Sequence, residues 1–127
     1  MGHRGACGKG IAVTQEYQPR QGDIVWIDME PQAGKEITKR RPALVVWGND
    51  AHALIRGGIT MVCPITSTDS GFPLHVPLDS GSRNTTGFVV CEQAKALDLR
   101  ARNAHWKDRA SEAVISEVRD ILKSLLD

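Results

Sequence analysis

Short apolar segments rich in β-branched residues, separated by turn-forming sequences, are the feature that most constrains the fold of this chain. Segments of this kind are typical of β-strands, and six fit the description: 23–29, 43–47, 59–65, 74–78, 88–91 and 97–102. The connections are too short for repeated crossover helices, so we expect mostly antiparallel pairing. The pattern predicts a small, strongly curved sheet or barrel.

Helical periodicity is concentrated at the C terminus. After Ser111, a suitable N-cap, apolar residues recur at the helical period, namely Val114, Val118, Ile121, Leu122 and Leu125. A shorter helix, capped by Asn49 or Asp50, is predicted to reach Ile55. The fold class expected is therefore mainly β, with a C-terminal α-helix closing the sheet.

The chain of 127 residues suits a single domain. Residues 1–19 are predicted to be a flexible, Gly-rich N-terminal tail, and 20–127 to be the folded domain. The longest apolar run, 43–47, has five residues, whereas a membrane span needs about 20. We therefore expect no membrane association and a cytoplasmic protein.

Cysteine and histidine spacing argues against a metal site. Cys7, Cys63 and Cys91 form no CxxC pair, and the four histidines stand at no ligand spacing. Cys63 and Cys91 lie in apolar runs and are expected to be small buried residues. The sequence thus predicts no metal and no cofactor.

Basic residues form two local clusters in a chain whose net charge is only +1. The first holds Lys35, Lys39, Arg40 and Arg41, and the second Arg100, Arg102, Lys107 and Arg109. Such clusters can bind a nucleic-acid backbone, but a solvated surface of mixed charge has the same pattern.

Arg41 stands directly before Pro42, which favours an extended backbone at the mouth of a strand. Its planar guanidinium is suited to a phosphate. With Glu36 on the preceding loop, 30–41, and Thr66 at the end of the third predicted strand, it could handle a phosphoryl group without a metal. The alternative is a purely structural role, in which Glu36 forms a surface ion pair with a neighbouring basic residue and Thr66 closes a turn.

Several motifs in order resemble the MazF/PemK family of bacterial toxins, from Arg20 to the C-terminal helix. They are Gly22-Asp23-Ile24-Val25-Trp26, Asp28-x-x-Pro31-x-x-Gly34-x-Glu36, Arg41-Pro42-Ala43-Leu44-Val45-Val46, Pro64-Ile65-Thr66, Gly71-Phe72-Pro73, Gly87-Phe88-Val89-Val90-Cys91-Glu92-Gln93 and Leu99-Arg100-Ala101-Arg102. The resemblance implies an SH3-like small β-barrel that acts as a homodimer and needs no metal.

The resemblance also implies an activity: a sequence-specific endoribonuclease, or mRNA interferase, of a type II toxin–antitoxin system. In the family, the substrate's own 2′-OH attacks the adjacent phosphate, so single-stranded RNA is cut and DNA is not. The products are a 2′,3′-cyclic phosphate and a 5′-OH end.

Carried over by position, Arg41 is implied to stabilise the phosphate and act as acid, and Thr66 to hold a phosphate oxygen. Glu36 matches a loop glutamate needed for activity. Some members have a histidine where this chain has Lys35, and an arginine and an aspartate where it has Val90 and Glu92. The base therefore stays open between Glu92 and Glu36.

The remaining expectations concern binding. Lys35, Lys39, Arg40, Arg100 and Arg102 are candidates for the RNA backbone, and Trp26, Trp47 and Trp106 for base stacking, although core packing suits the first two tryptophans better. His75 is a weaker candidate. The implied partner is an antitoxin with an acidic binding segment, and operator DNA would be reached only through it.

Two alternatives use the same scaffold without cutting RNA. CcdB-like toxins bind DNA gyrase and finish in Trp-Gly-Ile, whereas this chain ends Ser124-Leu125-Leu126-Asp127. The second alternative is a DNA-binding corepressor without catalytic activity.

Overall fold

The computed structural model describes residues 11–12, 18–28, 40–79 and 81–127. Its strands are β1 (Ile11–Ala12), β2 (Asp23–Asp28), β3 (Arg40–Val45), β4 (Ile59–Thr66), β5 (His75–Pro77), β6 (Phe88–Val90), β7 (Lys95–Asp98) and β8 (His105–Arg109). The helices are α1 (Asn49–Leu54), α2 (Glu112–Ser124) and a 3-10 turn at Cys91–Gln93. Neither α-helix of this described part is long and apolar enough to cross a bilayer.

The strands form one curved sheet in the order β1-β8-β2-β3-β4-β6-β5, with every pair antiparallel as predicted. The long strand β4 has β3 on one edge, and β7 followed by β6 on the other. The mainly β fold is confirmed, although the sheet does not close into a full barrel. Pro77 lies in β5 at the end of the order, where a missing N–H is tolerated.

Curvature encloses an apolar cluster on each face of the central strands. Ile24 and Leu44 belong to the cluster that α2 covers with residues such as Val118. Their chain neighbours Val25 and Val45 belong to the cluster on the opposite face. Strands β2 and β3 are therefore buried on both faces, which explains their nearly continuous apolar sequence.

Helix α2 begins as predicted, because the Ser111 hydroxyl accepts a hydrogen bond from the Val114 amide at 3.2 Å. The predicted cap of α1 is wrong, since Gly48 occupies the N-cap and makes no side-chain hydrogen bond there.

Cys63 and Cys91 are buried as expected. A hydrogen bond with Cys91, together with burial, raises the pKa of the Cys63 thiol, so Cys63 stays protonated.

The strand predicted over 97–102 is wrong in its bounds. Strand β7 ends at Asp98, and the chain then turns, with the Asp98 carboxylate accepting the Arg100 amide at 3.0 Å and Asn103 at φ 53°. Strand β8 was not predicted, because four of its five residues are charged or histidine and only Trp106 is apolar.

The N-terminal tail and the 30–41 loop also differ from the prediction where the structure describes them. Ile11 pairs with Trp106 within the predicted tail, and Pro19 is buried. Arg40 and Arg41 belong to β3 rather than to a loop. Residues 1–10, 13–17 and 29–39 lie outside the described residues.

Acid is expected to destabilise the fold through His52. This buried ring has Nε2 2.6 Å from the Thr60 hydroxyl, and burial lowers its pKa below the ordinary 6.5. The unfolded chain therefore binds the proton more readily, so His52's contribution to stability is present above pH 6.5 and is lost as the pH falls through the folded-state pKa. Urea unfolding from about pH 8 to pH 5 checks this. The decline should be smaller in His52→Gln, and equal declines would contradict it.

Candidate active site

An open cavity of about 350 Å³ lies where β3 begins and β4 ends. Arg41, Thr66 and Glu92 all line it, although they come from β3, β4 and the 3-10 turn. Strand register explains the meeting of the first two. Ala43 pairs with Pro64, so continuing the antiparallel ladder by two residues brings Arg41 opposite Thr66.

The Thr66 hydroxyl is oriented by its own turn. Its Oγ1 accepts a hydrogen bond from the Thr68 amide at 3.2 Å. A hydroxyl has one hydrogen to donate besides its acceptor lone pairs. Thr66 therefore retains a donor that can serve an oxygen bound in the cavity.

His75 and Glu92 are hydrogen-bonded in the cavity wall. His75 Nε2 lies 3.1 Å from Glu92 Oε2, and the His75 side chain is only 13% exposed. His75 begins β5 and pairs with Val90 of β6, two residues before Glu92. The sequence offered His75 only as a weak candidate for RNA binding. Its contact with Glu92 depends on the β5–β6 register, which cannot be read from one sequence.

Both nitrogens of the His75 ring have hydrogen-bond partners. A carboxylate oxygen only accepts, so Nε2 donates to Glu92. Nδ1 lies 3.3 Å from the Ser70 hydroxyl. The Ser70 oxygen in turn accepts the Phe72 amide at 3.3 Å, and the Phe72 ring packs edge-on against His75 at 5.3 Å. The chain of bonds holds Glu92 toward the cavity.

Charge in the cavity is of both signs. Arg41 and Lys95 bring positive charge, and Glu92 brings a carboxylate; Gln93 also lines the wall. Lys95, Gln93 and Ser70 were not predicted as site residues, because nothing in the local sequence distinguishes them from other polar residues. In the described part of the chain, no three His, Cys, Asp or Glu side chains gather as metal ligands would.

A second depression, of about 310 Å³, adjoins the first on the other side of Arg41. It is lined by Arg40, Arg41, Pro42, Ile65, Ser67 and Thr86. Arg41 and Ile65 line both cavities. Arg41 therefore borders both recesses.

None of the other predicted site residues within the described part of the chain lines the first cavity. Glu36, Lys35 and Lys39 fall outside the described residues. The Arg40 side chain is bound to Asp28, and Arg102 Nη1 donates to the Asp28 carbonyl at 3.2 Å. Arg100 packs its side chain over Gly58. Neither Arg100 nor Arg102 lines the two cavities.

The three tryptophans are also away from the cavity wall. Trp26 on β2 is 36% exposed, so it is the most accessible of them for a partner or a base. Trp47 is half-buried beside the His52 ring, at 6.3 Å. Trp106 is half-buried in β8, opposite Val25.

Comparison with known proteins places the chain in a family. A family model described as "PemK-like, MazF-like toxin of type II toxin-antitoxin system" matches residues 20–126. The endoribonuclease toxin MazF of Escherichia coli (strain K12) is 30% identical over 99 residues, which span 75% of this chain and 82% of that protein. The endoribonuclease MazF9 of Mycobacterium tuberculosis is 36% identical over 117 residues, spanning 85% and 96%.

Solved structures agree. The MazE–MazF structure (Form-II) from Deinococcus radiodurans matches with a TM-score of 0.75 and 37% identity, covering 87% of this chain and 96% of that one. The chain is a small, mainly β protein with an open recess lined by Arg41, Thr66 and Glu92. This chain belongs to the PemK-like, MazF-like family of toxins of type II toxin–antitoxin systems.

Gly87→Ala is expected to disturb the cavity through Thr66. Gly87 has φ 128°, and a Cβ there would overlap the Thr66 carbonyl oxygen. We expect a loss of about 1–3 kcal/mol of stability, measured by urea unfolding, with shifted Thr66 amide resonances. Gly71→Ala is the matched control, since Gly71 has φ 72° but nothing within 4 Å of its Cβ position. Equal effects of the two variants would exclude the overlap as the cause.

Proposed function

We propose that this chain is a sequence-specific endoribonuclease that cleaves single-stranded mRNA without a metal, through attack of the substrate's 2′-OH. The observation that carries the proposal is the convergence of Arg41, Thr66 and the His75–Glu92 pair on one cavity. The relatives named endoribonucleases support it. The products would be 2′,3′-cyclic phosphate and 5′-OH ends.

Glu92 is proposed as the base. Its carboxylate lies in the same cavity as Arg41 and is held by His75 Nε2 at 3.1 Å, so it can take the proton of a 2′-OH placed before it. His75 acts as a positioning residue, because its Nε2 holds the Glu92 carboxylate in place, while Glu92 itself takes the proton of the 2′-OH. Glu36 stays a proposed active-site residue on the resemblance alone.

Arg41 and Thr66 are proposed to act on the phosphate. The guanidinium donates to the non-bridging oxygens, whose charge grows as the 2′ oxygen attacks. The Thr66 hydroxyl donates to one of the same oxygens. The Arg41 guanidinium, as the proposed acid, gives a proton to the departing 5′ oxygen as the bond from phosphorus to that oxygen breaks. The proton that Glu92 has taken from the 2′-OH is then released to solvent, from which Arg41 regains its own. Because the nucleophile belongs to the ribose, DNA is not a substrate.

Backbone contacts along the RNA are proposed for cations near the site. Lys95 lines the cavity and suits a phosphate neighbouring the cut. Lys35 and Lys39 stay proposed contacts of the RNA backbone on the ground of their charge alone. Arg100 and Arg102, which lie away from both cavities, suit more distant phosphates. The Arg40 guanidinium is bound to Asp28, so Arg40 is not proposed as a contact of the RNA backbone.

Partners are proposed from the family. The related Deinococcus radiodurans toxin has been solved as a MazE–MazF complex. We propose a cognate antitoxin with an acidic segment that covers the cationic cavity, and contact with operator DNA only through that antitoxin. A homodimer is proposed because a groove across two copies would hold several nucleotides, and the cytoplasm, where mRNA lies, is the proposed location.

The first test is cleavage of a long single-stranded RNA in excess chelator, with mapping of the product ends. The wild-type protein should give discrete cuts with 5′-OH and 2′,3′-cyclic phosphate ends. Arg41→Ala should lose about 10²–10³-fold in rate, because a donor to the developing charge is removed. The control is Arg83→Ala, an exposed arginine outside both cavities. It should cut like the wild type.

Two outcomes would count against the proposal. Loss of cleavage in chelator would contradict a metal-free mechanism. Intact RNA from folded wild-type protein free of antitoxin would refute the nuclease, and DNA gyrase binding would be tested next.

Variants of the cavity separate the proposed roles. Glu92→Gln should lower kcat by about 10²–10⁴-fold, the usual contribution of a positioned base. Thr66→Val should lower kcat while leaving affinity for an uncleavable 2′-deoxy analogue nearly unchanged, because its hydroxyl serves the transition state. Single-turnover rates and binding titrations measure both. An unchanged rate for Glu92→Gln would move the base to Glu36, and a pure binding defect for Thr66→Val would exclude its proposed role.

A further inference from the structure

Arg40 and Asp28 occupy the last cross-strand pair of β2 and β3, on the two sides of residues 29–39. Arg40 Nη1 lies 2.7 Å from Asp28 Oδ1, and the Asp28 side chain is only 15% exposed. The hydrogen bond from Asn103 and the contact with Arg40 hold the pKa of Asp28 below its ordinary value. The ion pair is therefore fully charged at neutral pH.

The second guanidinium nitrogen of Arg40 is equally occupied. Nη2 donates to the Trp26 carbonyl at 3.1 Å and to the Asn103 carbonyl at 3.0 Å. Trp26 lies in β2 and Asn103 in the turn after β7, so one guanidinium nitrogen joins two separate segments of the chain.

The turn after β7 completes the arrangement. The Asn103 amide Nδ2 donates to Asp28 Oδ2 at 2.9 Å, and the Asp28 amide donates to the Arg102 carbonyl at 3.0 Å. Asn103 can present both its carbonyl and its amide because it adopts φ 53°, a conformation that asparagine tolerates better than most residues. Three separate segments of chain therefore meet on one guanidinium.

Arg41 lies in the sequence between Arg40 and Pro42. Neighbouring residues of a strand point to opposite faces, so Arg40 and Arg41 cannot both enter the cavity of Glu92. Arg40 also borders the second depression, but its guanidinium nitrogens are bound to acceptors of the protein. We propose that Arg40, bound to Asp28 and Asn103, is a positioning residue that holds the start of β3 and thereby the guanidinium of Arg41, and that it is not an RNA contact. This rests on the proposed function, since it assigns Arg41 to the phosphate.

Cleavage kinetics and RNA affinity distinguish positioning from RNA contact. Arg40→Ala is expected to lower kcat by about 100-fold, the effect of a small misplacement of a reacting group. Its affinity for an RNA with a single 2′-deoxyribose at the cut should stay within about twofold, with an unchanged dependence on salt. Asp28→Asn should have a similar effect, and the double variant should be no worse than the single ones, because both act through one contact.

Opposite behaviour would overturn the proposal. A phosphate-binding Arg40 would give weaker binding, a salt slope reduced by about one, and an unchanged kcat, while Asp28→Asn would leave binding intact. Unchanged kcat and affinity would also overturn it.

Two controls keep the test decisive. Arg40→Lys, which keeps the charge toward Asp28 but cannot reach both carbonyls, should recover part of the rate and serves if Arg40→Ala does not fold. The Arg41 Nε resonance reports its order directly, and it should broaden in Arg40→Ala. A wild-type protein that cuts no RNA would refute the proposed function, and this resonance would still test the positioning.

Discussion

The pairing of β2, β3 and β4, buried on both faces, is the constraint on which the rest of the molecule depends. Because Ile24 and Val25 enter different apolar clusters, a slip of one residue in register would exchange the two clusters. The same register places Arg41 opposite Thr66 where the ladder ends. Packing energy therefore fixes the relative position of two polar groups that contribute little to packing themselves.

The proposed catalytic groups Arg41 and Thr66 lie where the ladder between β3 and β4 stops, and there is a physical reason for it. Within β3, Ala43, Leu44 and Val45 have no room for a charged side chain, whereas Arg41 is half-exposed two residues earlier. At such a position the backbone is still held by its neighbours, while the side chain reaches solvent and substrate. Thr66, the last residue of β4, is placed in the same way.

The fold class, both helices, the burial of Cys63 and Cys91, and six of the eight strands of the described residues could be predicted, because they follow from apolar periodicity; one of these strands, over 97–102, had wrong bounds. Strand β8 was not predicted, because most of its side chains are charged, and its buried Asp108 is held by the Asn84 amide at 2.8 Å.

Motifs named Arg41, Thr66 and Glu92, and the structure brings these three residues to one cavity. The contact between His75 and Glu92 could not be predicted, because it is set by a tertiary register that no local pattern encodes.

Adjacent arginines show most clearly where sequence reasoning stops. Arg40 and Arg41 have the same chemistry, and charge counting assigns both to RNA. Strand geometry separates them, since one faces the Asp28 carboxylate and two backbone carbonyls while the other lines the cavity. A guanidinium with five donors can satisfy carbonyls at a strand end as well as phosphate oxygens. What a cation does is therefore decided by which acceptors the fold places around it, and here the acceptors around Arg40 already belong to the protein.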